Sequence, residues 1–265
     1  MKLLLKIQYI GTAYAGYQAQ TELPSVQTTL TEAVSKAFGF PCSVTGCSRT
    51  DAGVHALGFC AAVEPRDREK AASRWLTIPE GKAHRVLARY LPDDIAVCGE
   101  AYLFDPDFHP RYSVASKEYR YRMYDSPWRD PFLAHRAWHL KRAVTTEGLT
   151  RMNEGGRYLL GRHDFTSFMA AGSKITDASR TVLSLDVTRQ GAGLELRISA
   201  DGFLYNMVRI ITGTLVDCAY GSLEPEDVPA ILEARDRTRA GKTAPPDGLY
   251  LSDVRYDREI PWKIL

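Results

Sequence analysis

The chain has 265 residues, 45% of them hydrophobic and 25% charged, with a formal net charge of +2. That is enough apolar sequence for one large core or two ordinary ones without disulfides, and the charged fraction excludes a disordered chain. A charge so near balance also excludes a uniformly basic nucleic-acid binder, so any such face must be local.

In chain order, "LLLKIQY" (3–9) reads as a strand, and the lysine inside its short apolar run argues against a signal peptide. Gly11 and Gly16 follow in a loop carrying Tyr14 and Tyr17, and Ser25 is placed to cap a helix with a stripe at Val26, Leu30, Val34 and Ala37. "CSVTGC" and "FCAAVE" read as short strands, "GKAHRVLARYL" as a helix stopped by Pro92, and "IAVCGEAYL" as a strand. A second cycle follows. "EYRYRMY" (118–124) reads as a strand, "TEGLTRMNEGGRYLLG" as a helix closed by Gly161, and "TVLSLDVTRQ" with "LELRISA" as a hairpin. "FLYNMVRIITGTLVDCAYG" reads as a long apolar helix and "PEDVPAILEARDR" as a polar one. The first cycle has the order of a split, ferredoxin-like unit, so the chain is expected to be α+β with two halves, 1–103 and 104–265.

No run reaches the roughly 20 apolar residues of a membrane span, so no membrane is expected among the partners. The five cysteines form no CxxC pair and no His/Cys metal spacing, which points to a reducing, cytoplasmic setting and to no metal. Phosphate-loop, dinucleotide and nucleophile-elbow motifs are absent, so no nucleotide or redox cofactor is expected.

The chemistry-bearing stretch is "GCSRTDAGVHALG" (46–58), where Asp51 stands among small residues that leave its carboxylate accessible to a large substrate. It suits a nucleophile or general base, or an Asx-turn closing on its own backbone. In an extended segment Arg49 projects to the same side as Asp51. His55 nearby is a proton shuttle or a structural histidine. Between His109 and Arg142 eight Lys or Arg, including Arg111 and Lys117, face three acids. In a strand through "KEYRYRMY", Lys117, Tyr119, Tyr121 and Met123 share one side, and Glu118, Arg120, Arg122 and Tyr124 the other. That offers rings on one face and positive charge on the other, or else ordinary core tyrosines. Arg209, among apolar neighbours, needs a partner, either in a structural ion pair or in the reactive carboxylate.

Taken together, "GCSRTDAGVHALG" resembles the signature of the TruA family of tRNA pseudouridine synthases. "IQYIGTAYAGYQAQ", "SVQTTLTEAV", "YLPDDIAV", "FHPRYSVASKEYRYRMY", "GRHDFTSF", "FLYNMVRIITGTL" and "TAPPDGLYLSDVRY" are similar to further family blocks, in order, over nearly the whole chain. Tyr17, where a Trp is common, Ser48, where a Gly usually precedes the arginine, and Ala88, where many members carry Asn, depart from the pattern. The resemblance implies Asp51 as the essential carboxylate, Arg49 assisting extrusion of the target nucleotide, Tyr119 against the flipped uracil, and Arg209 as ionic partner of Asp51. It implies a homodimer, two ferredoxin-like halves forming a shared, mostly antiparallel sheet, and a central basic cleft for the tRNA anticodon arm, with uridines 38, 39 and 40 as targets. Arg111 and Lys117, in the basic stretch, are expected on the RNA. The alternatives are a non-catalytic RNA-binding module and an aspartic protease. The second lacks a suitable second carboxylate, because Asp201-Gly202 opens an apolar segment with different surroundings.

Overall fold

The computed structural model describes residues 2–67, 78–172 and 175–265. Contacts divide the chain into two units, residues 1–115 with 251–265, and residues 116–250. Both are mixtures of helix and mostly antiparallel sheet, as an α+β chain should be.

The first unit runs β1 (Lys2–Tyr9), α1 (Val26–Phe38), β2 (Cys42–Gly46), β3 (His55–Pro65), α2 (Ala83–Leu87) and β4 (Ile95–Leu103). β1 is central, antiparallel to β3 on one side and β4 on the other. Its "LLL" is fully buried, so both faces of the strand are covered and the apolar residues run on instead of alternating. The outer edge of β3 carries β2 along Ala61–Pro65, and the late strand β10 (Leu249–Tyr256) also lies beside β3. A short β11 (Lys263–Ile264) pairs with β4. Helix α1 starts where Ser25, extended at φ −133°, accepts a hydrogen bond from the Thr28 amide through Oγ. It ends at Gly39, left-handed at φ +75°. Its buried stripe is Val26, Leu30, Ala33, Val34 and Phe38, and Ala37 lies at its margin.

The second unit contains most of β5 (Val114–Tyr124), then β6 (Trp138–His139), α3 (Thr146–Arg157), β7 (Gly161–Asp164), β8 (Ser179–Gln190), β9 (Gly193–Ala200), α4 (Met207–Ala219) and α5 (Val228–Ala234). The sheet order is β5-β9-β8-β7, antiparallel throughout, with β6 added parallel to the end of β5. Helix α3 packs on α4 and β8. Helix α4 is apolar almost all round because it is buried almost all round.

Four sequence readings shift in the structure. The helix expected from Phe203 begins only at Met207, because Asn206 is left-handed at φ +60° and breaks the approach. This puts Arg209 in the first turn. The helix expected to close at Gly161 ends at Arg157, and Gly161 (φ +91°) opens β7 instead. The polar helix is a 3-10 turn (Pro225–Asp227) followed by α5, stopped by Arg235 at φ +48°. Finally, the contacts draw the unit boundary at 115/116 where the sequence drew it at 103/104, and return 251–265 to the first unit. Residues 104–115 stay with the first unit through Phe108 edge-on to Tyr256, through the Asp257 amide on the Ser113 carbonyl, and through Lys2 Nζ on the carbonyl of Pro106.

Candidate active site

The segment 47–54 joins β2 to β3 and is fixed from below. The Cys47 amide donates to the Cys60 carbonyl at 2.9 Å, and the buried Tyr9 hydroxyl and Thr50 Oγ1 share a hydrogen bond at 2.8 Å. The preceding loop closes over it, with the Tyr17 amide on the Thr50 carbonyl and the Gly53 amide on the Tyr14 carbonyl. That approach requires Gly16, at φ +108°, where a Cβ would stand 2.6 Å from the Thr50 oxygen. The Val54 amide donating to the Asp51 carbonyl completes a tight turn.

His55 is 0% exposed, and its Nδ1 accepts the Gly11 amide at 3.0 Å. A nitrogen that accepts carries no proton, so this ring is a strut beneath the loop rather than a shuttle at its surface. Above the strut Arg49 is exposed, Thr50 buried, Asp51 half-buried and Ala52 exposed. Arg49 is thus open to solvent and Asp51 partly so, on either side of the anchored Thr50.

Tyr17 stacks on Phe59, with ring centroids 4.3 Å apart. Its buried hydroxyl finds no hydrogen-bond partner among the described residues, and burial holds its pKa well above the usual phenol range. A lone buried hydroxyl costs stability, so Tyr17→Phe is expected to raise the unfolding free energy in urea by about 1 kcal/mol. A loss of that size would show that the hydroxyl has a use.

Arg111 lies in a loop of the same unit. His109 Nδ1 accepts the amides of both Arg111 and Tyr112, and the His109 and Tyr112 rings lie 4.4 Å apart. The exposed Arg111 guanidinium sits 5.9 Å from the centre of the Tyr112 ring, which is 77% exposed. Burial first, then Lys2 and Arg111, lowers the His109 pKa and favours this accepting form. Sequence reasoning did not single out the exposed Tyr112 ring. The "HPRY" run places it directly after Arg111, behind a histidine.

The second unit holds Lys117, Tyr119 and Arg209. Along β5 the rings do share a face and are mostly buried. Tyr119 is 6% exposed, edge-on to Phe203 at 5.1 Å. Tyr121 is fully buried, and its hydroxyl donates to the Pro245 carbonyl at 2.6 Å. The opposite face is not simply positive. Glu195 of β9 lies 3.5 Å from Arg122 and 2.7 Å from Arg197, while Glu118 pairs with Arg120 at 3.3 Å. Besides Arg111, exposed positive charge in the basic stretch remains at Arg129, Arg136, Lys141 and Arg142.

Arg209 is half-buried. Its Nε donates to the Ala244 carbonyl and its Nη1 to Asn206 Oδ1, each at 2.7 Å, while its own carbonyl accepts the Ala244 amide. The segment from Gly241 is held against α4 this closely because residue 213 is glycine. A Cβ there would lie 1.8 Å from the Lys242 carbonyl oxygen. Among the described residues no group of three or more His, Cys, Asp or Glu is arranged to hold a metal, and no helix is long and apolar enough to cross a membrane.

Comparison with known proteins adds the class. Residues 157–257 match the family model described as tRNA pseudouridine synthase. The tRNA pseudouridine synthase A of Bacillus subtilis is 41% identical over 259 residues, covering 97% of this chain and 100% of the relative. That of Bacillus velezensis is 42% identical over 260 residues with the same coverage, and that of Acetivibrio thermocellus 39% over 252, covering 95% and 98%. The chain belongs to the TruA (tRNA pseudouridine synthase A) family.

Proposed function

We propose that this protein isomerises uridine to pseudouridine in tRNA, at one or more of positions 38, 39 and 40 of the anticodon stem-loop. The observation that carries the reading is the exposed Arg49 and half-buried Asp51 on a loop that Thr50, His55 and Gly16 anchor from beneath, in a chain of this family.

The reaction breaks the N1–C1′ bond, turns the uracil and joins C5 to C1′. The C5 proton leaves and N1 ends protonated, so the product has the composition of the substrate and no cofactor or energy source enters. A single carboxylate serves, acting at C1′, at C6 of the ring, or on the 2′ proton, and each route needs it ionised. Asp51 is that group. Arg209 is its ionic partner, as the family resemblance implies, since a neighbouring guanidinium favours the ionised carboxylate.

Extruding the base costs a few kcal/mol. Arg49 offsets part of this by entering the gap left in the stack. Tyr119, its ring fixed by Phe203, offsets another part by lying against the uracil, since base stacking is worth roughly 1–3 kcal/mol. Arg111 and Lys117 hold phosphate, and the open Tyr112 ring beside Arg111 extends that surface.

The successions β1-α1-β2-β3-α2-β4, and β5-α3-β8-β9-α4-β10 once the short strands β6 and β7 and helix α5 are set aside, support a reading as two ferredoxin-like halves with a shared sheet. The basic cleft would then receive the anticodon arm, and the enzyme would work as a cytoplasmic homodimer.

Pseudouridine mapping on an unmodified tRNA transcript tests the assignment, because a protein that only binds RNA leaves every uridine unchanged. In the same assay Tyr119→Phe, which keeps the ring, should retain activity within about tenfold, whereas Tyr119→Ala should lose on the order of a hundredfold. Equal losses in the two variants would exclude stacking as the role of that ring.

A further inference from the structure

Asn206 is unusual in two respects. It stands half-buried at the N-cap position of α4, and its backbone is left-handed, at φ +60° and ψ 9°. Residues with a side chain seldom hold that conformation, and such strain collects at functional sites. Asparagine is also among the best N-caps, normally by staying extended and accepting a first-turn amide through its side chain. Here, among the described residues, the side chain makes no capping hydrogen bond. The helix forgoes its cap, and Oδ1 accepts Nη1 of Arg209 at 2.7 Å instead.

The guanidinium is held a second time from the segment before β10, where the Ala244 carbonyl accepts Nε at 2.7 Å. The next carbonyl, that of Pro245, accepts the Tyr121 hydroxyl at 2.6 Å, so β5 keeps the segment in place. A Cβ on Gly248 would stand 2.7 Å from the Tyr121 ring, which measures how closely the segment lies on it. Burial raises the Tyr121 pKa well above the usual phenol range, with Arg209 lowering it and Asp247 raising it, so this tether stays protonated near neutral pH. Both of these oxygens on the guanidinium, the Asn206 amide and the Ala244 carbonyl, are neutral. They fix its direction without neutralising it. A carboxylate in place of the amide would hold the group as firmly and cancel its charge.

We infer that Asn206 is a positioning residue for the isomerisation: its amide oxygen sets the direction of the Arg209 guanidinium and leaves the charge intact. The inference rests on the reading of Arg209 as partner of the reactive carboxylate, and every residue in it belongs to the second unit.

Steady-state kinetics on a tRNA transcript test it. Asn206→Gly keeps the left-handed backbone, which glycine adopts freely, and removes only the amide. Its thermal midpoint should equal or exceed that of wild type, while kcat falls about tenfold and KM stays within about twofold. An asparagine needed only for its backbone predicts a kcat within about twofold of wild type, and that result overturns the inference. The loss should vanish in an Arg209→Ala background, where nothing remains to be oriented, and an undiminished loss there overturns it too. Asn206→Asp keeps the shape and sets a carboxylate on the guanidinium. The reactive acid then loses part of its counter-charge and gains a like charge, which raises its pKa. The acid limb of kcat/KM should therefore move to higher pH in Asn206→Asp and less in Asn206→Gly. An unmoved limb in Asn206→Asp, beside a coupled loss in Asn206→Gly, keeps Asn206 as the positioning residue of Arg209 and withdraws Arg209 from ionising the carboxylate.

Discussion

Asp51→Asn is expected to abolish pseudouridine formation, by at least about 10⁴-fold in kcat/KM, while leaving fold and tRNA affinity near wild type. The amide is nearly isosteric with the carboxylate. The features that shape the loop lie outside this side chain: the Tyr9–Thr50 hydrogen bond, the His55 strut under Gly11, the left-handed Gly16, and the Val54 amide on the backbone carbonyl of residue 51. What the substitution removes is negative charge, and every route from N1–C1′ to C5–C1′ open to a single side chain here needs that charge. Filter binding and thermal melts read the unchanged half of the prediction, and pseudouridine mapping reads the changed half. Turnover within tenfold of wild type would end the assignment of Asp51.

The second large effect is expected at Arg209. Its Nε and Nη1 tie the first turn of α4 to the buried Ala244 carbonyl and to Asn206. Arg209→Ala strands that carbonyl, which costs about 1–3 kcal/mol, and should lower activity on the order of 10²- to 10³-fold. A purely structural arginine and a partner of the carboxylate make different predictions for pH. Losing a neighbouring cation disfavours the ionised acid and raises its pKa, so the acid limb of the kcat/KM profile should move to higher pH in Arg209→Ala and less in Arg209→Lys. A destabilised variant with an unmoved acid limb would leave Arg209 as a fastener of the Gly241–Gly248 segment and nothing more.

Much of this was legible in the sequence because the signals were local. The Ser25 cap, the alternation through "EYRYRMY" and the hairpin closed by Gly191–Gly193 each depend on neighbours a few residues away, and each appears in the structure. The loop of Asp51 was legible for the same reason, being small residues around one acid. What escaped depends on distant partners. The late strand β10 reads as a strand only once β3 is there to pair with it. The positive face of β5 became a balanced one because Glu195 arrives from β9. His55 was left between shuttle and strut because the amide that decides the matter belongs to Gly11, 44 residues away.

The return of the last residues to the first unit has a consequence for biogenesis. As the chain leaves the ribosome, all of 116–250 has emerged before the first unit receives β10 and β11. The platform under Asp51 therefore stays unfinished until residues 251–264 have been made, with β3 still waiting for β10 beside it. A nascent chain stalled before residue 251 would have its second unit ready to mature and its catalytic loop on an open-edged sheet.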